Sequence, residues 1–187
     1  MMKSVSTLLL ATSVLLSSSL QAQEISGVQL DDSINIENQT LLLNGAGVRS
    51  KFFIDLYVGS LYVPQAIDSA KAALEAPSAA VRLNITSGMI TADKMKDAIN
   101  EGFDDATEGN TAPIAAKIEQ FMGLFSAEIV EGDQFTLLAD KATGVTAYKN
   151  GQVQATIAGE DFRQAVLKIW LGSEPAQDSL KEAMLGK

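Results

Sequence analysis

Arg49 is the residue whose type and setting are best suited to chemistry. It stands just after Asn44-Gly45-Ala46-Gly47, where glycines let another group come close to the backbone. An arginine placed so faces either a ligand or a structural partner, Asp55 or a backbone carbonyl. No histidine and no cysteine occurs anywhere in the chain. Serine-histidine and cysteine-histidine hydrolysis, histidine metal sites, thiolate metal sites and disulfides are therefore excluded. Acid–base work is left to carboxylate, lysine, tyrosine or water. Asp104, Asp105 and Glu108 form a carboxylate cluster that offers oxygen ligands, but its spacing fits no metal loop and reads as a solvated helix end. Paired carboxylates for glycosidic chemistry have no cleft-lining aromatic pattern beside them. No metal and no cofactor is expected.

The 187 residues suit one domain. Lys3, the apolar run Leu8–Leu16 and the small, polar exit ending at Ala22 have the layout of a signal peptide. Residues 1–22 are thus expected to be removed, leaving 23–187 as the domain in the periplasm or outside the cell. The apolar run is shorter than the roughly 20 residues a membrane span needs, and no later segment is long and apolar enough. The formal charge is −9, and Arg49, Arg82 and Arg163 are the only arginines. With no basic stripe, nucleic acid is not an expected partner, and the acidic surface is read as a matter of solubility.

The elements that must position these groups follow from pattern. Short strands are predicted at Gly27–Leu30, Ser33–Ile36 and Thr40–Leu43. The glycine stretch after them permits a bulge or unusual backbone angles. Phe52 to Val63 is rich in aromatic and β-branched residues and is predicted as strand. It is apolar on both faces, so both should be covered, one by core and the other by a ligand cleft. Ile67–Leu74 is predicted as a short helix and Ala80–Ile85 as a strand. Thr91 caps a helix predicted over Ala92–Ala106, with Met95, Ala98, Ile99 and Phe103 at helical spacing. A further helix is expected from Pro113 to Leu124, then strands at Gln134–Ala139, Val145–Lys149 and Val153–Ile157. Asn150-Gly151 between the last two is a strong hairpin signal. A helix from Gly159 carries Phe162, Ile169 and Trp170 as core and stops at Gly172. A last short helix starts at Asp178. The order predicts an α+β fold, an antiparallel or mixed sheet with helices layered on it.

Leu43-Asn44-Gly45-Ala46-Gly47-Val48-Arg49, followed by Leu56-Tyr57-Val58-Gly59-Ser60-Leu61-Tyr62-Val63, resembles the chalcone isomerase family. Met89–Phe103, Phe121–Phe125 and Gln164-Ala165-Val166-Leu167 with Gly172 resemble that family's later helices. The resemblance spans nearly all of residues 23–187. It implies an open-faced β-sandwich, an antiparallel sheet with helices on one face and a cleft between them.

The family's catalytic positions carry over one by one. The strand arginine that polarises the substrate is Arg49. The strand threonine falls at Tyr57, the helix tyrosine at Met95, the asparagine at Gly102, and a late serine or threonine at Arg163. Only the arginine survives, and losing one positioned donor costs about 10² or more in rate, so efficient chalcone cyclisation is not expected. The family's fatty-acid-binding members hold a carboxylate with the same arginine and a strand tyrosine, and Arg49 with Tyr57 resembles that pair. A guanidinium gives a carboxylate two parallel hydrogen bonds and a phenol adds a third. Their shared parity, eight residues apart, places both on one sheet face if no bulge intervenes. Met95, Ile99 and Phe103 would then line an apolar tunnel, or serve as ordinary core.

The expected function is binding of a small apolar acid at Arg49, Tyr57, Met95, Ile99 and Phe103. Two alternatives stand beside it. One is an isomerase acting on an unidentified enone-like substrate through Arg49 and Tyr57. The other is a structural or partner-binding envelope protein, although no partner motif is present.

Overall fold

The computed structural model describes residues 23–187; the expected signal peptide, residues 1–22, lies outside the described residues. β1 (Gln23–Ile25) and β2 (Val28–Leu30) form a two-stranded ribbon. β3 (Ser33–Ile36), β4 (Gln39–Lys51), β5 (Ile54–Val63), β6 (Ser78–Ile85), β7 (Gln134–Asp140), β8 (Gly144–Lys149) and β9 (Gln152–Ile157) make a seven-stranded sheet in chain order. Every pairing in it is antiparallel. α1 (Ala70–Glu75) joins β5 to β6, and α2 (Ala92–Ala106) and α3 (Ala115–Met122) lie between β6 and β7. α4 (Glu160–Leu171) and α5 (Asp178–Met184) close the chain. The α+β expectation is correct, and the sheet is wholly antiparallel.

Alternation along the strands separates two cores. Val81, Leu83 and Leu137 point to the helices and meet Phe121, Val166 and Trp170. Ala80, Leu138 and Tyr62 point the other way and pack with Ile34, Leu41 and Tyr148. The helices therefore cover one face of a sheet whose central strands are apolar on both. Among the described residues no helix is long and apolar enough to cross a membrane.

Two of the strand boundaries that differ from expectation bear on the site. β4 does not stop at Leu43 but runs through the glycines to Lys51, with a bulge at Asn44. β5 starts at Ile54, not Phe52, because Phe52 and Phe53 form a two-residue turn with φ of 50° and 66°. Three other hairpins have the same geometry: Ser26-Gly27 (46°, 78°), Glu37-Asn38 (47°, 62°) and Asn150-Gly151 (50°, 76°). Both residues of such a turn need positive φ, which suits asparagine and glycine and strains a bulky side chain.

Arg163, where the family's late serine or threonine falls, is fully buried in the first turn of α4. Its Nε donates to Glu160 Oε2 (2.6 Å), and its Nη2 donates to Glu160 Oε1 (2.9 Å) and to the Leu74 carbonyl (2.6 Å). These bonds pin α1 to α4. Chiefly through the Arg163 bonds, the Glu160 carboxyl is held down to about 2. A folded-state pKa below the unfolded one stabilises the fold above the ordinary glutamate range, and the gain is lost as pH falls from there towards 2. The Glu160 side chain is half exposed, so solvent screening limits the loss to about 1 kcal/mol. Urea titrations between neutral and acid pH should show that loss in the wild type and a flatter profile in Glu160→Gln.

Candidate functional site

The site begins with glycines. A Cβ on Gly45 would lie 2.1 Å from the Ala183 carbonyl oxygen, and one on Gly47 would lie 2.7 Å from the Ala183 Cβ. Neither glycine has positive φ; they are there so that α5 can lie directly on β4. Asn44, the extra residue of the bulge, donates from Nδ2 to the Met184 carbonyl (2.8 Å) and accepts from Ile67 N (2.8 Å).

With α5 seated there, Gln177, the residue before its first turn, reaches back over β4. Its Oε1 accepts from Arg49 Nη1 (3.0 Å) and Ser50 N (3.0 Å), and its Nε2 donates to the Val48 carbonyl (3.0 Å). Arg49 Nη1 also donates to the Ser50 carbonyl (2.7 Å). Among the described residues, no carboxylate pairs with Arg49, and the Tyr57 hydroxyl is a further polar neighbour of its guanidinium. Arg82 is paired with Asp31 and Arg163 with Glu160. Asp55 instead accepts from Ser50 Oγ (2.8 Å), so of the two structural partners weighed for Arg49 the carboxylate is absent and the backbone carbonyl, that of Ser50, is present at one of its nitrogens.

Tyr57 lies directly across from Arg49 in the β4–β5 register. They share a face because they are cross-strand partners on two strands, with the Phe52-Phe53 turn between them, and not through parity along one strand. The Tyr57 hydroxyl accepts from Trp170 Nε1 (3.0 Å), which leaves its own proton free to donate. Burial raises the phenol pKa, with the Trp170 N–H and the Arg49 charge opposing in part. Tyr57 is therefore a neutral donor at physiological pH.

Both residues open onto a cleft of about 610 Å³ between the sheet and α2, also lined by Leu83, Met95, Ile99 and Trp170. Its size and largely apolar wall, with a few convergent polar groups, suit a small organic ligand. Phe103, expected in the tunnel, is not in this wall. It packs against Phe121 and Phe162, with centroids 5.8 and 5.5 Å away. Each four-residue step along a helix turns about 40° past a full circle, so the stripe from Met95 through Ile99 has rotated into the core by Phe103. Gly102 takes its place in the wall, where a Cβ would lie 2.8 Å from Ile169 Cγ2. Asp104, Asp105 and Glu108 are exposed at the end of α2. Among the described residues no group of acidic side chains is gathered as a metal would require. A second hollow, of about 520 Å³, is ringed by Lys71, Lys168, Lys181, Glu75, Asp105 and Glu108, a mixed-charge wall unlike that of the cleft.

Two participants were not nominated by sequence. Trp170 was assigned to core, which is correct at 1 % exposure, yet its one polar atom orients Tyr57. Gln177 carried no local signal for the site, since the β4 groups it holds lie about 128 residues away.

A family model described as chalcone isomerase-like matches residues 22–186. The chain belongs to the chalcone isomerase-like family. Among solved structures, a fatty-acid binding protein of Arabidopsis thaliana is similar, with a TM-score of 0.69 at 18% identity, covering 86% of this chain and 92% of that one. At that identity the likeness establishes the fold, the chalcone isomerase-like arrangement of a curled antiparallel sheet with helices on one face. No curated protein matches the chain by sequence.

Proposed function

We propose that this chalcone isomerase-like protein binds a small, fatty-acid-like carboxylic acid in the cleft, in the periplasm, after residues 1–22 are removed. One observation carries the reading: Arg49, alone among the three arginines in lacking a carboxylate among the described residues, sits in a largely apolar wall opposite a neutral tyrosine donor. Arg49 is partly buried, and a guanidinium set in an apolar wall favours an anionic partner. A ligand carboxylate would supply that charge, with two bonds from the guanidinium and one from Tyr57, while its chain lies along Met95 and Ile99. The similar Arabidopsis structure is that of a fatty-acid binding protein, which agrees with this chemistry.

The isomerase alternative draws on the same pair but lacks helix support. Met95 offers no donor, and Ile169 leaves no room for a side chain at Gly102. A tightly filled cleft would favour the structural or partner-binding alternative, whereas this cleft holds about 610 Å³.

Native mass spectrometry of freshly purified protein and calorimetric titration with decanoate in vesicle-free buffer test the proposal. The expected result is a copurifying acid or saturable decanoate binding at one site per chain. A clean apo mass with no heat of binding would refute it.

A further inference from the structure

Among the described residues, four hairpins use the same two-residue turn with positive φ at both positions. Three place small or polar residues there, as the geometry demands. The fourth, at the cleft mouth, places Phe52 and Phe53, the kind of side chain least suited to that backbone. Neither ring is repaid by packing: Phe52 is 82% exposed and Phe53 106%. Strain combined with exposure means that neither the turn nor the core accounts for these rings.

Their surroundings are apolar, with Lys51 and Lys94 close by and the exposed carboxylates Asp97, Glu101 and Asp105 on the α2 side of the cleft. Phe52, Ile54 and Met89 are all exposed and all belong to the rim of the cleft. Lys51 Nζ stands 5.9 Å over the Phe52 ring, and Lys94, also on the rim, donates to the Met89 carbonyl (3.2 Å). The carboxylate at the tip, Asp55, is engaged by Ser50 and Ser26. Aromatic rings at a projecting tip with lysines behind them match a membrane interface, where rings enter the headgroup–acyl boundary and ammonium groups stay among the phosphates. The net charge of −9 opposes approach to an anionic surface, so the chemistry fits zwitterionic lipid.

We infer that the Phe52-Phe53 turn inserts into a zwitterionic lipid surface and holds the cleft mouth against it. The docking stands on the turn itself; it rests on the proposed acid binding only for what would be exchanged there. An apolar acid partitions into lipid, and a mouth seated on the surface would let its chain pass without crossing water.

The test is flotation with phosphatidylcholine vesicles, using the protein in the form the cell accumulates and Phe53→Gly prepared identically. Phe53 is outside the cleft wall, and glycine takes its φ freely, so the variant should melt no lower than the wild type. The wild type should float, and Phe53→Gly should partition about tenfold less, as expected for losing most of one buried ring. Decanoate affinity in vesicle-free buffer should be unchanged. Wild type that does not float, or Phe53→Gly that floats equally well, overturns the inference. So does a Phe53-dependent dimer in vesicle-free solution, since the rings would then meet a second copy. A wild type that floats through Phe53 but binds no decanoate leaves this inference standing and removes the acid-binding reading.

Discussion

Arg49→Ala should weaken decanoate binding about 100-fold, the consequence of removing two charge-assisted hydrogen bonds from a carboxylate held in an apolar wall. Calorimetry with decanoate measures it, and decanol is the control. The alcohol has no charge for the guanidinium to meet, so wild type and variant should bind it alike. Arg49→Lys should fall between, because an ammonium keeps the charge but not the planar fork. The fold should survive: Arg49 is only partly buried, and its bonds to the Ser50 carbonyl and Gln177 lie at the edge of the sheet. A thermal melt close to wild type would show that. If Arg49→Ala binds decanoate with undiminished affinity, the carboxylate is not held there.

Gly45→Ala should cost about 3 kcal/mol, more than a typical core overpacking, and lower the melting temperature by roughly 10 °C. The added carbon would meet the carbonyl oxygens of Ala183 and Met184 at 2.1 and 3.0 Å. These are backbone atoms, so no rotamer change relieves the clash. α5 must lift, and Leu180, Met184 and Leu185, all buried, lose packing with it. Gln177 precedes α5 and braces Arg49, so decanoate affinity should fall too. Leu138→Ala, in the small core on the opposite face, is the comparison. It should lower the melting temperature and leave affinity unchanged. Equal affinity in Gly45→Ala would mean that Gln177 does not set the Arg49 geometry.

Local signals were reliable where a few neighbouring residues decide the outcome. Thr91 caps α2 by accepting from Lys94 N (3.2 Å), and Asn150-Gly151 turns β8 into β9. Gly172 ends α4. The Phe52-Phe53 turn was invisible to the same logic, because phenylalanine speaks for strand and the register of two long strands overrode that preference. The glycines of β4 were read as allowing unusual backbone angles and the close approach of another group. Close approach is their role, but the group is a helix that arrives some 140 residues later, which has no local trace.

By itself the sequence determined the α+β order and the α2 apolar stripe, and its resemblance to the chalcone isomerase family nominated Arg49 with Tyr57. It also excluded histidine and cysteine chemistry, because composition and short-range periodicity do not depend on what lies across the fold. Only tertiary structure decided the rest. It made Arg49 and Tyr57 cross-strand partners, put Gln177 on one and Trp170 on the other, turned Phe103 into the core and left Phe53 in solvent. Each of these depends on register and on contacts between distant segments, and a side chain's role there is set by neighbours that sequence distance does not reveal.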